Sequence, residues 1–125
     1  MKKRDSILRE KSYKFAIRMV RLSRFLQQEK KEFVLRKQIL RNGTAIGAWV
    51  RETEYAQSDA DFINKVSVSS KEANKTDYWL SLLKDTDYID VKLYESLFHD
   101  YDERISMLVS TIKTMKSKKR LTLSA

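Results

Sequence analysis

The 125-residue chain has one histidine and no cysteine, which narrows the chemistry its side chains can support. His99 follows Glu95 by four residues, a spacing that puts both on one side of a helix. A di-iron helical site needs Glu and His three residues apart on two helices, and so a second histidine. This sequence cannot build one, and His99 reads as a surface or boundary residue. The lack of cysteine removes thiol nucleophiles, disulfides and thiolate metal sites, and it suits a reducing cytoplasm. No glycine-flanked serine elbow between strand and helix accompanies the serines. Gly43 and Gly47 are not followed by the Gly-Lys-Ser/Thr of a phosphate-binding loop. Asp100, Asp102 and Glu103 read as a solvated face of the last helix. The expectation is a non-enzymatic protein with no metal or cofactor.

Positive charge is the second chemical feature. Lys11, Lys14, Arg18 and Arg21 fall on one helical stripe, which Arg4 extends, and Arg24, Lys37 and Arg41 lie nearby. The net charge of +9 is unevenly placed. Residues 1–41 hold 14 Lys/Arg against 4 Asp/Glu, whereas residues 42–110 hold 7 against 13. Residues 111–125 hold 5 basic and no acidic residues. Such a surface suits a polyanion such as RNA or DNA, bound through phosphate contacts with little sequence preference. The competing reading is that opposite charges pair helices or subunits. Tyr13 and Phe25 are candidates to stack on unpaired bases, although no RRM or KH signature is present.

These residues require long helices to position them. Proline is absent and glycine occurs only twice, so turns must be few. The first helix is predicted over about 6–28, with Leu8, Phe15, Met19, Leu22 and Leu26 inward and Tyr13, Ala16 and Val20 widening that face. The second is predicted over about 31–56, with Leu35, Ile39, Ile46, Trp49 and Val50 buried. Ser58 and Asp61 resemble a capping box, starting a third helix that runs to about Lys84. Its inner face is Phe62, Val66, Ser69, Ala73, Thr76, Leu80 and Leu83, small in the middle. Asp87 or Asp90 caps a fourth helix, with Tyr94, Phe98, Tyr101, Ile105, Leu108, Ile112 and Met115 inward and the repeat fading at Lys116–Arg120. Residues 1–125 thus read as one all-α domain, an antiparallel up-down-up-down four-helix bundle with frayed ends at about 1–5 and 118–125. No apolar run is long enough to span a membrane, and the basic N-terminus lacks the apolar stretch of a signal peptide.

Gly43 and Gly47 lie four apart beside Ala45 and Ala48, where another backbone can come close. Each glycine costs an exposed helix about 1 kcal/mol relative to alanine, offset by tight packing or expressed as a bend. The packing is expected within the subunit or between subunits, with Trp49 and Trp79 as core or interface anchors.

Five segments carry a resemblance. They are R-x-G-T-A-I-G-A at Arg41–Ala48, V-R-E at Val50–Glu52, S-x-x-D-F at Ser58–Phe62, K-E-A-N-K-T-D-Y-W-L at Lys71–Leu80 and S-T-I-K-T-M-K at Ser110–Lys116. The chain resembles the four-helix bundle proteins encoded in intervening sequences of bacterial 23S ribosomal RNA genes. Trp49 departs from the small polar residue expected there. The resemblance implies a ring-like homopentamer. It also implies similarity to the accessory protein of diversity-generating retroelements, a basic pentamer that binds nucleic acid and a reverse transcriptase. Two functions follow. One is a cytoplasmic oligomer that binds RNA, or an RNA–protein complex, through Arg4, Lys11, Lys14, Arg18, Arg21, Lys37 and Arg41. The other is a structural adaptor that binds a protein partner without touching nucleic acid.

Overall fold

In a computed structural model of the chain, the backbone is described for residues 3–124 and the side chains for residues 6–117. The helices are α1 (Lys3–Gln28), α2 (Leu35–Glu52), α3 (Asp59–Asp85) and α4 (Val91–Ser124), and a 3₁₀ turn, Thr53–Tyr55, follows α2. Each helix packs on the next in sequence, and α4 returns to α1 along the thinnest seam. Contacts pair positions in inverse order at every seam. Ser23 and Ser12 of α1 meet Arg36 and Gly47 of α2, Asn42 of α2 meets Glu72 and Trp79 of α3, and Lys11 and Arg18 of α1 meet Glu103 and Asp100 of α4. The result is the antiparallel four-helix bundle expected from the apolar repeats.

Local chemistry sets most of the helix ends. The Ser58 hydroxyl accepts the Asp61 amide at 3.0 Å, and the Asp61 carboxylate accepts the Gln57 amide at 3.1 Å. This is a capping box whose return arm reaches one residue further back than usual. Asp90 starts α4 by accepting the Leu93 amide at 2.7 Å, while Asp87 sits in the preceding loop at φ 66°.

The start of α2 differs from the expectation of about residue 31. Lys31 lies in the left-handed region at φ 53°, so the chain turns there and the helix begins at Leu35. Glu32 explains the delay. Its buried carboxylate accepts the amides of Val34, Leu35 and Arg36 at 3.0, 2.9 and 2.8 Å. These are amides that an opening helix turn leaves without partners. Burial pushes the Glu32 carboxyl up, but the three amides and the Arg36 charge together outweigh it and hold it below its ordinary value.

The core is made of Leu8, Phe15, Met19, Leu22 and Leu26 of α1, Ile39, Ile46 and Val50 of α2, and Val66, Ala73, Leu80 and Leu83 of α3. The third helix buries its predicted face, with Phe62 packed at the margin. The fourth helix is rotated from its predicted stripe. Leu97, Tyr101, Arg104, Leu108 and Thr111 are buried, whereas Tyr94, Phe98, Ile105 and Ile112 are only half-buried. The reason is that α4 must serve two neighbours. Tyr94 meets Ser81 and Lys84 of α3, while the side nearer Arg104 turns toward α1, where Glu103 and Asp100 pair with Lys11 and Arg18.

The α1–α2 seam is the closest. A Cβ at Gly43 would lie 2.7 Å from Met19 Sδ and 3.0 Å from its Cβ, and closer still to its Cγ. A Cβ at Gly47 would stand 3.1 Å from the Ser12 carbonyl oxygen. Both glycines therefore admit α1, inside the subunit, and α2 runs unbroken through them.

Two outcomes follow. Gly43→Ala gains about 1 kcal/mol of helix propensity, yet it overpacks buried Met19, at a cost of about 1–3 kcal/mol. Urea unfolding should show a net loss of stability, and a variant at least as stable as wild type would mean that Met19 vacates the site freely. Glu32→Gln should lower stability at neutral pH by about 1 kcal/mol. Because the folded carboxyl is held low, its contribution is complete above the ordinary carboxylate range and is lost as pH falls through the folded value. The wild type should therefore lose more stability than Glu32→Gln between pH 7 and pH 3.

Candidate nucleic-acid interface

The basic stripe of α1 does not form one surface. Arg18 is turned to α4, where Nη1 donates to Asp100 Oδ2 at 2.6 Å and to the Ser96 carbonyl oxygen at 3.2 Å, and Nη2 donates to Ser96 Oγ at 3.0 Å. Lys11 pairs with Glu103, also on α4. These two cations close the thin α1–α4 seam, and part of the charge complementarity of the chain is used within the fold. Arg4 lies outside the residues whose side chains are described.

The remaining cations point to solvent. Lys14, Arg21 and Arg24 are exposed on the side of α1 away from the core, and Lys37 and Arg41 are exposed one turn apart on α2. Lys14 has only Glu10 on its own helix, at 3.1 Å with both side chains 67% exposed, a pair of small energetic weight. Arg21, Arg24, Lys37 and Arg41 have no hydrogen-bond or ion-pair partner among the described residues. The inverse register of α1 and α2 puts Arg21 and Arg24 level with the stretch of α2 that holds Lys37 and Arg41. Arg24, Lys37 and Arg41 are thus exposed at one level of the α1–α2 hairpin, while Arg21, also exposed, borders the groove between α1 and α4 with Arg18, Leu93 and Leu97. Sequence spacing finds Arg21, and the sequence points to Lys37 and Arg41 as further contacts and to Arg24 only as nearby charge. Spacing also counts Lys11 and Arg18, because periodicity cannot tell an outward stripe from one that abuts another helix.

The acidic face anticipated on α4 is divided in the same way. Asp102 is exposed, whereas Asp100 and Glu103 answer α1. Next in the chain, Arg104 is only 6% exposed, and its Nε and Nη1 have no hydrogen-bond partner among the described residues. Its Nη1 stands 3.3 Å from Glu103 Oε1, an ion pair without hydrogen-bond geometry. Burial pushes its pKa down, partly opposed by Asp100. At the α3–α4 seam burial raises the Asp77 carboxyl. Burial, with the charges of Asp77 and Asp102, pushes the Tyr101 hydroxyl up to about 12.

His99 is exposed on α4. Among the described residues no three of His, Asp and Glu are grouped to hold a metal ion, and no helix is long and apolar enough to cross a membrane.

The two tryptophans part company. Trp79 packs on the core and donates Nε1–H to Asn42 Oδ1 at 2.9 Å, and Asn42 Nδ2 donates to Glu72 Oε2 at 2.7 Å. Trp49 is half-buried and stands apart from the core cluster.

The division of the stripe is measurable. Arg18→Ala should destabilise the bundle, with a coupling to Asp100 of about 0.5–1 kcal/mol in a double-mutant cycle. Arg21→Ala and Arg24→Ala should stay within about 0.5 kcal/mol of wild type. Equal effects in chemical denaturation would contradict the division.

Comparison with known proteins agrees with this architecture. A search of curated proteins gives no match. Among solved structures, the chain is similar to a protein of unknown function from the S23 ribosomal protein family of Bacteroides thetaiotaomicron VPI-5482. The identity is 54%, over 88% of this chain and 98% of that one, with a TM-score of 0.87. The family described as 23S rRNA-intervening sequence protein matches residues 4–110. That range takes in all of α2 and α3, nearly all of α1 and the greater part of α4, so the chain belongs to the 23S rRNA-intervening sequence protein family.

Proposed function

We propose that the protein is a non-enzymatic, cytoplasmic homo-oligomer that binds RNA, or an RNA–protein complex, through exposed cations of the α1–α2 hairpin. The observation that carries this reading is the sorting of the cations. Lys11 and Arg18 are neutralised by α4, whereas Arg21, Arg24, Lys37 and Arg41 are exposed at one level of α1 and α2 without a counter-charge among the described residues. Such a face attracts phosphates, and the affinity it gives falls steeply with salt. Lys14 lies on the same outward side of α1. Segment 111–125, with five basic and no acidic residues, adds charge outside the family match.

Oligomer formation belongs to the same reading. Trp49, half-buried and off the core, is a large aromatic of the type enriched at interfaces. The pentamer comes from the family resemblance, as does a reverse-transcriptase-like protein partner. Trp49 also favours the second reading, an adaptor whose partner is a protein. Electrophoretic mobility shift separates the two.

Wild-type protein should retain a structured rRNA fragment at 50 mM salt and release it by 200 mM, a loss of about 10³-fold or more for six phosphate contacts. The quadruple variant Arg21→Glu/Arg24→Glu/Lys37→Glu/Arg41→Glu should fail to bind while keeping wild-type helicity and melting. Retention by the folded quadruple variant would overturn the reading. No binding by the wild type at low salt would favour the protein-partner adaptor.

A further inference from the structure

Next to the free cations, α1 and α2 enclose a cleft of about 330 Å³. It exists because the residues along this part of the seam are small. Ala16, Gly47 and Ala48 form its floor, and the Gly47 backbone lies against that of Ser12. Its wall is the ring of Tyr13, 55% exposed, with the Arg51 guanidinium over one face of the ring, 5.5 Å from its centroid, and the other face left for stacking. Its rim carries Glu52, exposed and without a hydrogen-bond or ion-pair partner among the described residues. Arg9 also reaches the cleft, but it is occupied by Glu54.

We propose that this cleft takes one unpaired nucleobase of a bound RNA strand, stacked on Tyr13 with its phosphate at Arg51. The inference rests on the RNA-binding reading and adds to it a preference for single strands. Four features support it. The volume is at the small end of ligand sites, which suits a single planar base. An exposed aromatic ring offers a stacking face that any base can use. The cation beside that ring matches the charge that travels with each base. Position supplies the fourth, because Arg41 stands seven residues before Ala48 on the same helix, about 10 Å at 1.5 Å per residue. A strand drawn along the free cations is thereby led into the cleft.

Glu52 gives the site a selectivity. A carboxylate only accepts hydrogen bonds, so it favours a base edge that donates. Guanine, with a ring N–H and an amino group side by side, suits both carboxylate oxygens best. Uracil has no amino group and suits them least. A paired base has its donor edge occupied and cannot leave the stack without cost, so duplex RNA is excluded from the cleft though not from the cations.

Fluorescence anisotropy with labelled 12-nucleotide RNAs tests this at one low salt concentration. Wild type should bind oligo(GA) more tightly than oligo(U), and more tightly than a 12-base-pair duplex. Tyr13→Ala should weaken oligo(GA) binding by about 5- to 100-fold, the range for one stacked base, and leave duplex binding unchanged. Tyr13→Phe should bind as wild type, and Glu52→Gln should narrow the gap between oligo(GA) and oligo(U). If wild type binds these RNAs and Tyr13→Ala binds oligo(GA) equally well, the cleft proposal falls and the cation reading stands. If wild type binds none of them at low salt, both fall.

Discussion

Close approach of α1 and α2 is the constraint on which the rest of the structure depends. Gly43 leaves room for Met19, and Gly47 lets the Ser12 backbone come within contact. Neither could carry a side chain without moving a neighbour. This proximity sets the inverse register in which Ser12 meets Gly47, Met19 meets Gly43 and Ser23 meets the Arg36 carbonyl. The register in turn sets exposed cations of α1 level with those of α2. Gly47, with Ala16 and Ala48, also opens the cleft beside Tyr13. Two glycines without reactive groups thus decide where the reactive groups stand.

The opposite side of the bundle is held differently. The α1–α4 seam has fewer contacts and relies on Arg18–Asp100 and Lys11–Glu103, with the buried guanidinium of Arg104 among them. Partly exposed ion pairs stabilise little in water, and a buried guanidinium with unpartnered N–H groups carries a desolvation cost. Hydrophobic packing joins all four helices, with Leu97, Tyr101 and Leu108 of α4 in the core, while charge adds to the contact of α4 with α1. The surface proposed to bind RNA is formed by exposed cations of α1 and α2 that take no part in those pairs. Binding a polyanion there leaves the pairs that position α4 undisturbed.

Much of the fold was legible because it rests on period and local chemistry. The inward faces of α1 and α3 follow their apolar spacing, except that Tyr13, expected to widen the α1 face, is 55% exposed beside Arg51; Ser58 and Asp90 cap the helices they precede. The misreadings share one cause, a partner distant in sequence. Glu32 falls inside the second helix predicted from about residue 31, but its carboxylate gathers three amides and delays α2 to Leu35. Arg104 and Thr111 look solvent-facing by polarity, but the need to touch both α3 and α1 rotates them inward. Trp49 and Trp79 are equivalent by composition, and only Trp79 finds the core and the Asn42 carbonyl.

By itself the sequence determined four helices, their order, the family and the surplus of positive charge, since each depends on residue type and on spacing within one helix. Tertiary structure alone decided which cations are free. Lys11, Lys14, Arg18 and Arg21 are indistinguishable along the helix axis, but Lys11 and Arg18 fall within reach of carboxylates about 80 to 90 residues away in the chain. It also decided that Gly43 and Gly47 admit a helix of their own subunit and that the gap beside them lies against Tyr13 and Arg51. Spacing along one helix fixes direction around its axis, but only packing against the other helices fixes what stands in that direction.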